Sequence, residues 1–156
     1  MKGKPPKESI VEMVQQVLPG DANPIGTVFG GKVMEWIDIA GAVCAMRHTQ
    51  QQVVTASFDR VDFIAPARVG EVMVLQAKIN FTGKTSLEVG ISVQSENPIT
   101  GAKVRTAEAL VTYVAVNEKG KPIPVLPIIP GTEEERRNFE EGKKRHEIRR
   151  RERKRS

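Results

Sequence analysis

Asp38 is the residue that most needs a reason. It stands between Ile37 and Ile39 in KVMEWIDIAGAVCAMRH, Lys32–His48, with Met34 and Ala42 one turn away on either side. Burying a carboxylate without partners is costly. Either Asp38 lies on a wet face beside Glu35 or caps a neighbouring loop, or it is kept there to accept a proton or attack an electrophile. The apolar run that follows it and the glycine-rich stretch before it favour the functional role. That stretch, Gly26-Thr-Val-Phe-Gly30-Gly31, ends just before the helix. Glycines there let free helix N–H groups approach a phosphate, a carboxylate or the oxyanion of an attacked carbonyl. It is no P-loop, because Val33 follows Lys32 where Ser or Thr would be needed.

Asn23, ahead of Pro24, reads first as a turn residue and second as one that binds and orients water. Thr82-Gly83-Lys84-Thr85-Ser86 could hold a phosphate or could simply connect two strands. Cys44 and Met46 read as core. His48 has no nucleophile in a recognisable elbow. One cysteine and two distant histidines, His48 and His146, offer no metal site.

Those residues need elements to position them. Ser9–Leu18, rich in Val and Ile, reads as a strand. Pro19–Gly31, with four glycines and two prolines in thirteen residues, is a loop. Lys32–His48 is the central helix, and Ile39–Met46 carries no polar side chain, so burial on all sides is expected. Val53–Phe63, Glu71–Phe81, Ser86–Ser95 and Lys103–Val116 read as strands. In Ser86–Ser95, Leu87, Val89, Ile91 and Val93 alternate with polar residues or glycine. Short links imply antiparallel hairpins. Beyond the Pro-rich Lys121–Gly131, Thr132 and Glu135 form a capping box. The helix they open has i,i+4 pairs at Glu140/Lys144, Glu141/Arg145 and Glu147/Arg151. With almost no apolar stripe, it is expected to project into solvent and fray.

A chain of 156 residues with 39% hydrophobic and 28% charged residues has room for one real core and is not wholly disordered. No apolar run approaches the ~18 residues of a membrane span, and MKGKPPKESI lacks a signal-peptide core. A reducing cytoplasm is expected. The net charge of +5 is mostly local, since residues 132–156 hold 11 of 24 Lys+Arg and 7 of 19 Asp+Glu. A nucleic-acid or membrane tether at this end is the weaker reading, because acidic residues are interleaved. The organisation is α+β, a curled antiparallel sheet around one central helix as in the hot-dog fold. Residues 1–8 would be a flexible N-terminus, 9–130 the domain and 131–156 a charged helical tail.

The run Asn23–Gly41, NPIGTVFGGKVMEWIDIAG, resembles the signature of hot-dog acyl-CoA thioesterases, closest to the YciA-like and cytosolic acyl-CoA hydrolase group. Ser57–Glu71 and Thr82–Val93 are similar to that group in the same order, so the resemblance spans roughly residues 9–127. It implies hydrolysis of a fatty acyl-CoA to free CoA and a carboxylic acid, with no cofactor beyond the CoA of the substrate. Asp38 matches the catalytic helix carboxylate, Asn23 the loop Asn that positions water or substrate, and Gly30 and Gly31 the backbone donors to the thioester carbonyl. Gly83, Lys84, Thr85 and Ser86, with Arg60 and Arg68, are the candidates for contacting CoA. Asn and Asp of one site are expected from opposite protomers of a homodimer, with trimers of dimers usual. A hydroxyacyl dehydratase would need a His in the loop–helix segment, where none occurs. A non-catalytic acyl-CoA sensor would not need a placed carboxylate.

Overall fold

The computed structural model describes residues 2–155. A 3-10 turn at Pro6–Glu8 precedes β1 (Val11–Gln16), and a second at Pro19–Asp21 precedes α1 (Gly30–Thr49). Four strands follow, β2 (Gln52–Phe63), β3 (Val72–Thr82), β4 (Ser86–Glu96) and β5 (Lys103–Val116), and α2 (Glu133–Arg155) ends the chain. All five strands form one antiparallel sheet in the order β1-β3-β4-β5-β2. Only β3–β4 and β4–β5 are hairpins. The link from β2 to β3, expected to make another, instead separates the two strands across the sheet. Ile64–Glu71, which contains Pro66, carries the chain from β2 past the places of β5 and β4 to β3. This leaves β2 as an edge strand with one side of its backbone unpaired.

Side-chain alternation decides which face of the sheet meets α1. Leu87, Val89, Ile91 and Val93 are buried as the pattern of β4 requires, along with Met73, Leu75, Ala77 and Ile79 on β3. Trp36, Ile37, Ala40, Cys44 and Ala45 of α1 fill the space above them. Each large apolar side chain removed from water there contributes about 1.5–3 kcal/mol. Cys44 is core, and burial pushes its thiol up to about 12. Burial of α1 on all sides, however, does not hold, since Ile39 remains 47% exposed on the flank beside β2. The curled sheet does not close around the helix, so that flank has nothing to pack against within one chain.

The charged C-terminal helix corrects another expectation. Rather than projecting into solvent, α2 lies across the sheet against β3 and β4. Its capping box forms as read, with Glu135 N–H donating to Thr132 Oγ1 at 3.1 Å and Thr132 N–H to Glu135 Oε1 at 3.2 Å. A short apolar contact then seats it: Phe139 meets Phe81 at 5.1 Å between ring centroids, and Gly142 leaves no room for a side chain above Phe81. Arg145 reaches past Glu141 to the buried Glu88, donating through Nε and Nη2 at 2.8 Å each. Arg149 pairs with Asp59 at 2.6 Å and Lys78 with Glu135 at 3.3 Å. The binding face of α2 is ionic, so a search for an apolar stripe misses it.

The N-terminal residues expected to be flexible are tied to the body. Lys4 pairs through its backbone with Pro127 and Ile129, and its ammonium donates to the carbonyls of Arg47 and His48. A cation there satisfies the last carbonyls of α1 and suits the negative end of its dipole. His48 is buried and donates from Nε2 to the Leu126 carbonyl at 2.7 Å.

Candidate active site

Asp38 lies on the flank of α1 that faces the open edge of the sheet, half-buried. Its Oδ1 accepts hydrogen bonds from Thr55 Oγ1 at 2.7 Å and from the Tyr113 hydroxyl at 3.1 Å. These two residues face each other across the β2–β5 ladder, so one cross-strand pair supplies both donors. The ladder shifts register between Thr55 and Ser57. A bulge here bends the edge strand next to the carboxylate. Asp38 is therefore neither a capping residue nor a partner of Glu35, whose carboxylate pairs with Lys32 at 3.0 Å.

Tyr113 is fixed from three directions. Its hydroxyl also meets the Asp38 backbone carbonyl at 3.0 Å, and its ring is fully buried. Burial, followed by the negative charge of Asp38, pushes its ionisation well above the ordinary phenol range. The group is a permanent proton donor to Asp38. Gly41, one turn beyond Asp38, makes this approach possible: a Cβ there would sit 2.3 Å from the hydroxyl. Neither Thr55 nor Tyr113 was singled out from the sequence. The available signal was that the chain's single tyrosine lies in the inward phase of β5, where a buried phenol needs a partner.

The start of α1 carries the second part of the site. Phe29 is the N-cap and provides no side-chain cap. Its carbonyl accepts from the N–H groups of Lys32 and Val33, whereas no acceptor among the described residues meets those of Gly30 and Gly31. At Gly31 a Cβ would meet nothing within 4 Å, and at Gly30 the Phe63 ring lies at 3.4 Å. A cleft of about 300 Å³ opens beside them, walled by Val28, Val33, Phe63, Ile64 and Pro66. Gly30 lines this apolar hollow and Gly31 follows it, an arrangement that suits a polarised carbonyl carrying an apolar chain.

Asn23 takes the turn role. Its Oδ1 accepts from the N–H groups of Ile25 and Thr27, and its Nδ2 donates to Thr27 Oγ1 at 2.8 Å. With Gly26 at φ 85°, it shapes the loop that leads into α1. Within one chain the structure joins Asp38 to Thr55 and Tyr113, while the amide of Asn23 is used inside its own loop.

The six candidates for holding CoA fall in three places. Gly83–Ser86 form the β3–β4 turn, closed by Gly83 N–H on the Ser86 carbonyl at 2.8 Å, with Lys84 exposed. Arg60 is spent on Asp62 at 2.6 Å on the outer face of the sheet. Arg68 lies beside the glycine loop, pairing by backbone with Thr27. No group of three or more metal-ligating side chains occurs among the described residues, and none of their helices is long and apolar enough to cross a membrane.

This arrangement has relatives. The profile of the thioesterase superfamily matches residues 25–102, from the glycine loop through β4. The acyl-CoA thioester hydrolase YkhA of Bacillus subtilis is 38% identical over 149 residues, covering 90% of this chain and 87% of that protein. A hexameric acyl-CoA thioesterase solved without ligand is 43% identical, covers 97% of both chains and superposes with a TM-score of 0.92. An acyl-CoA hydrolase of Staphylococcus aureus, solved with butyryl coenzyme A, coenzyme A and coenzyme A disulfide, is 33% identical with a TM-score of 0.87 over 97% of this chain and 94% of that one. The two solved hydrolases each match 97% of this chain, so their chains follow this fold over nearly its whole length. The chain belongs to the thioesterase superfamily.

Proposed function

We propose that the protein hydrolyses acyl-CoA thioesters to free coenzyme A and a carboxylic acid. The observation that carries this reading is the Asp38 carboxylate, held at Oδ1 by the paired hydroxyls of Thr55 and Tyr113. Among the described residues no donor meets Oδ2, so that oxygen is available to take a proton from water. The water oxygen then bonds to the thioester carbonyl carbon, and the C=O electrons move onto oxygen. Free N–H groups like those of Gly30 and Gly31 stabilise this oxyanion. As the adduct collapses, the C–S bond breaks and coenzyme A leaves as thiolate with its electron pair. The proton held by Asp38 returns to sulfur. Coenzyme A enters only as part of the substrate.

Direct attack by Asp38 Oδ2 would instead give a mixed anhydride that water opens. One turnover in 18O-labelled water tests the second route, since label in Asp38 arises only when water opens an anhydride at the Asp38 carbonyl. The general base puts label in the released acid alone.

Gly30 and Asp38 are eight residues apart on one helix, about 12 Å along its axis. That is too far for both to act on one carbonyl from the same chain. A second copy must complete each site, and the open edge of β2, with Ile39, Val54 and Phe63 exposed beside it, is the surface for it. The catalytic unit is a homodimer, and a trimer of dimers fits the hexameric relative. Asn23 acts in this reading by ordering the loop that presents the helix start to the partner's Asp.

The test is hydrolysis of an acyl-CoA panel from acetyl to palmitoyl, followed by thiol release. Asp38→Ala should cost at least ~100-fold with the fold intact. Tight acyl-CoA binding without turnover by the wild type would make the protein a sensor. Mixing Asp38→Ala with Asn23→Ala subunits should restore about a quarter of wild-type activity, because half the dimers then carry one intact site. No recovery after verified subunit exchange would mean that each site lies within one chain.

A further inference from the structure

The carboxylate of Asp59 has no part in the chemistry above, yet three donors converge on it. Its Oδ1 accepts from the hydroxyl of Ser57, two residues back on β2. Its Oδ2 accepts from Thr112 Oγ1 of β5 at 2.5 Å and pairs with Arg149 Nη1 of α2 at 2.6 Å. The side chain is only 12% exposed. Ser57 and Thr112 are themselves partners in the β2–β5 ladder, so the carboxylate bridges the two strands at that pair.

This part of the ladder is irregular. Its register shifts between Thr55 and Ser57 and again between Phe58 and Arg60, which leaves Ala56 and Asp59 as the extra residues. In a regular strand, residues 55 and 57 would share a face. Here the hydroxyl of Thr55 meets Asp38 on the α1 side, whereas Ala56 and Ser57 both line the hollow beside α2. Phe58 returns to the core. Arg60, which unbroken alternation would send there too, lies on the outer face. The first bulge is thus what lets Thr55 face inward while Ser57 faces out. A bulge interrupts the ladder where it sits, and β2 has a neighbour on one side only. Between the two shifts, Ser57 and Phe58 alone keep ladder partners. Side-chain bonds to Asp59 add what the backbone lacks there, and they end on Thr112, the residue next to Tyr113.

We propose that Asp59 is a positioning residue for the hydrolysis. By clipping Ser57 to Thr112 it fixes the first bulge of β2, and the fixed bulge aims Thr55 at Asp38. Asp59 acts through Thr55 and not on the reacting atoms. Arg149 holds the clip from above, so the docked α2 supports the geometry of a carboxylate on the opposite side of the sheet. The inference rests on the acyl-CoA reading for the reaction, but not for the clip.

A double-mutant cycle with Thr55, on the full chain, tests this. Asp59→Ala should lower kcat for an acyl-CoA about tenfold and leave KM unchanged, the signature of a misplaced group. In a Thr55→Val background the same change should have no further effect, because the donor it misplaces is gone. Thr112→Val removes one hydroxyl of the clip and keeps the pair with Arg149. It should act in the same direction, which keeps the test open if Asp59→Ala fails to fold. Asp62→Ala, a carboxylate lost from the same strand beyond the bulges, should change neither constant. Hydrogen–deuterium exchange should quicken over residues 52–58 in Asp59→Ala and stay unchanged over β4. A kcat loss that persists undiminished in the Thr55→Val background would overturn the proposal, as would a loss confined to KM or one matched by Asp62→Ala. A wild type that turns over no acyl-CoA would overturn the acyl-CoA reading. Faster exchange over 52–58 would then still support the clip, and unchanged exchange would overturn it too.

Discussion

The Tyr113 hydroxyl bonds both Oδ1 and the backbone carbonyl of Asp38, at 3.1 and 3.0 Å, and it reaches them only because residue 41 has no side chain. A strand residue and a helix residue 75 positions apart are thereby locked to each other. Thr55, opposite Tyr113 in the ladder, grips the same oxygen. The carboxylate has one defined orientation, with its other oxygen turned free.

Removing either hydroxyl should reduce turnover without affecting substrate affinity. Thr55→Val deletes one hydrogen bond to the carboxylate, and Tyr113→Phe deletes that to Oδ1 together with the contact to the backbone carbonyl. A bond to a charged group is worth about 1.5–3 kcal/mol, so steady-state kinetics should show kcat lower by about ten- to a hundredfold with KM unchanged. The double variant should lose more than the product of the two single effects, because no donor then orients Oδ1. An effect confined to KM would remove these residues from the positioning of Asp38.

Gly41→Ala should disturb stability and activity together. The new methyl would overlap the Tyr113 hydroxyl, and overpacking of this kind costs about 1–3 kcal/mol. Thermal unfolding should show a lower Tm, and the surviving enzyme should resemble Tyr113→Phe in its kcat. A variant with wild-type turnover would show that the Tyr113 contact is dispensable.

Glu88 and Arg145 hold α2 onto the sheet, and breaking the pair leaves a charge stranded beneath the helix. Arg145→Met should cost about 3–5 kcal/mol. It should also expose residues 133–155 to trypsin, which limited proteolysis would detect. Adding Glu88→Leu should recover much of the loss, since an apolar pair avoids the desolvation of both ions. Arg145→Met with unchanged Tm and cleavage would mean that Phe139 and Gly142 suffice to seat the helix.

Stability should fall between pH 7 and 5.5 because of the two histidines. Both have folded-state values held below the ordinary 6.5, chiefly by burial. The unfolded chain therefore binds protons first as the pH drops through 6.5, and the folded state loses stability until its own imidazoles protonate. Full stability lies above that range. Tm at pH 7.5 should exceed Tm at pH 5.5, and His146→Gln should shrink the difference. An unchanged difference in that variant would assign the whole effect to other groups.

Much of the fold was legible because its signals are local. The period-2 alternation of Leu87, Val89, Ile91 and Val93 needs only the strand's own geometry, and the Thr132/Glu135 cap only one helical turn. Asp38 stands out for the same reason, as a charge between Ile37 and Ile39 whose neighbours four residues away, Met34 and Ala42, are apolar. What lay beyond reach depends on which segments meet. No local pattern sends β2 to the far edge beside β5, and that choice opposes Thr55 to Tyr113 and brings both to Asp38. The charged helix was misread for the same reason. Its partners, Glu88 and Asp59, lie on other strands, and an arginine that will be buried against a distant carboxylate reads in sequence like one that faces water. The elements and the carboxylate follow from local pattern alone. Tertiary structure decided what surrounds that carboxylate, because hydrogen bonds and ion pairs depend on closeness in space, and residues 55, 113 and 145 are close to their partners only after the sheet has formed.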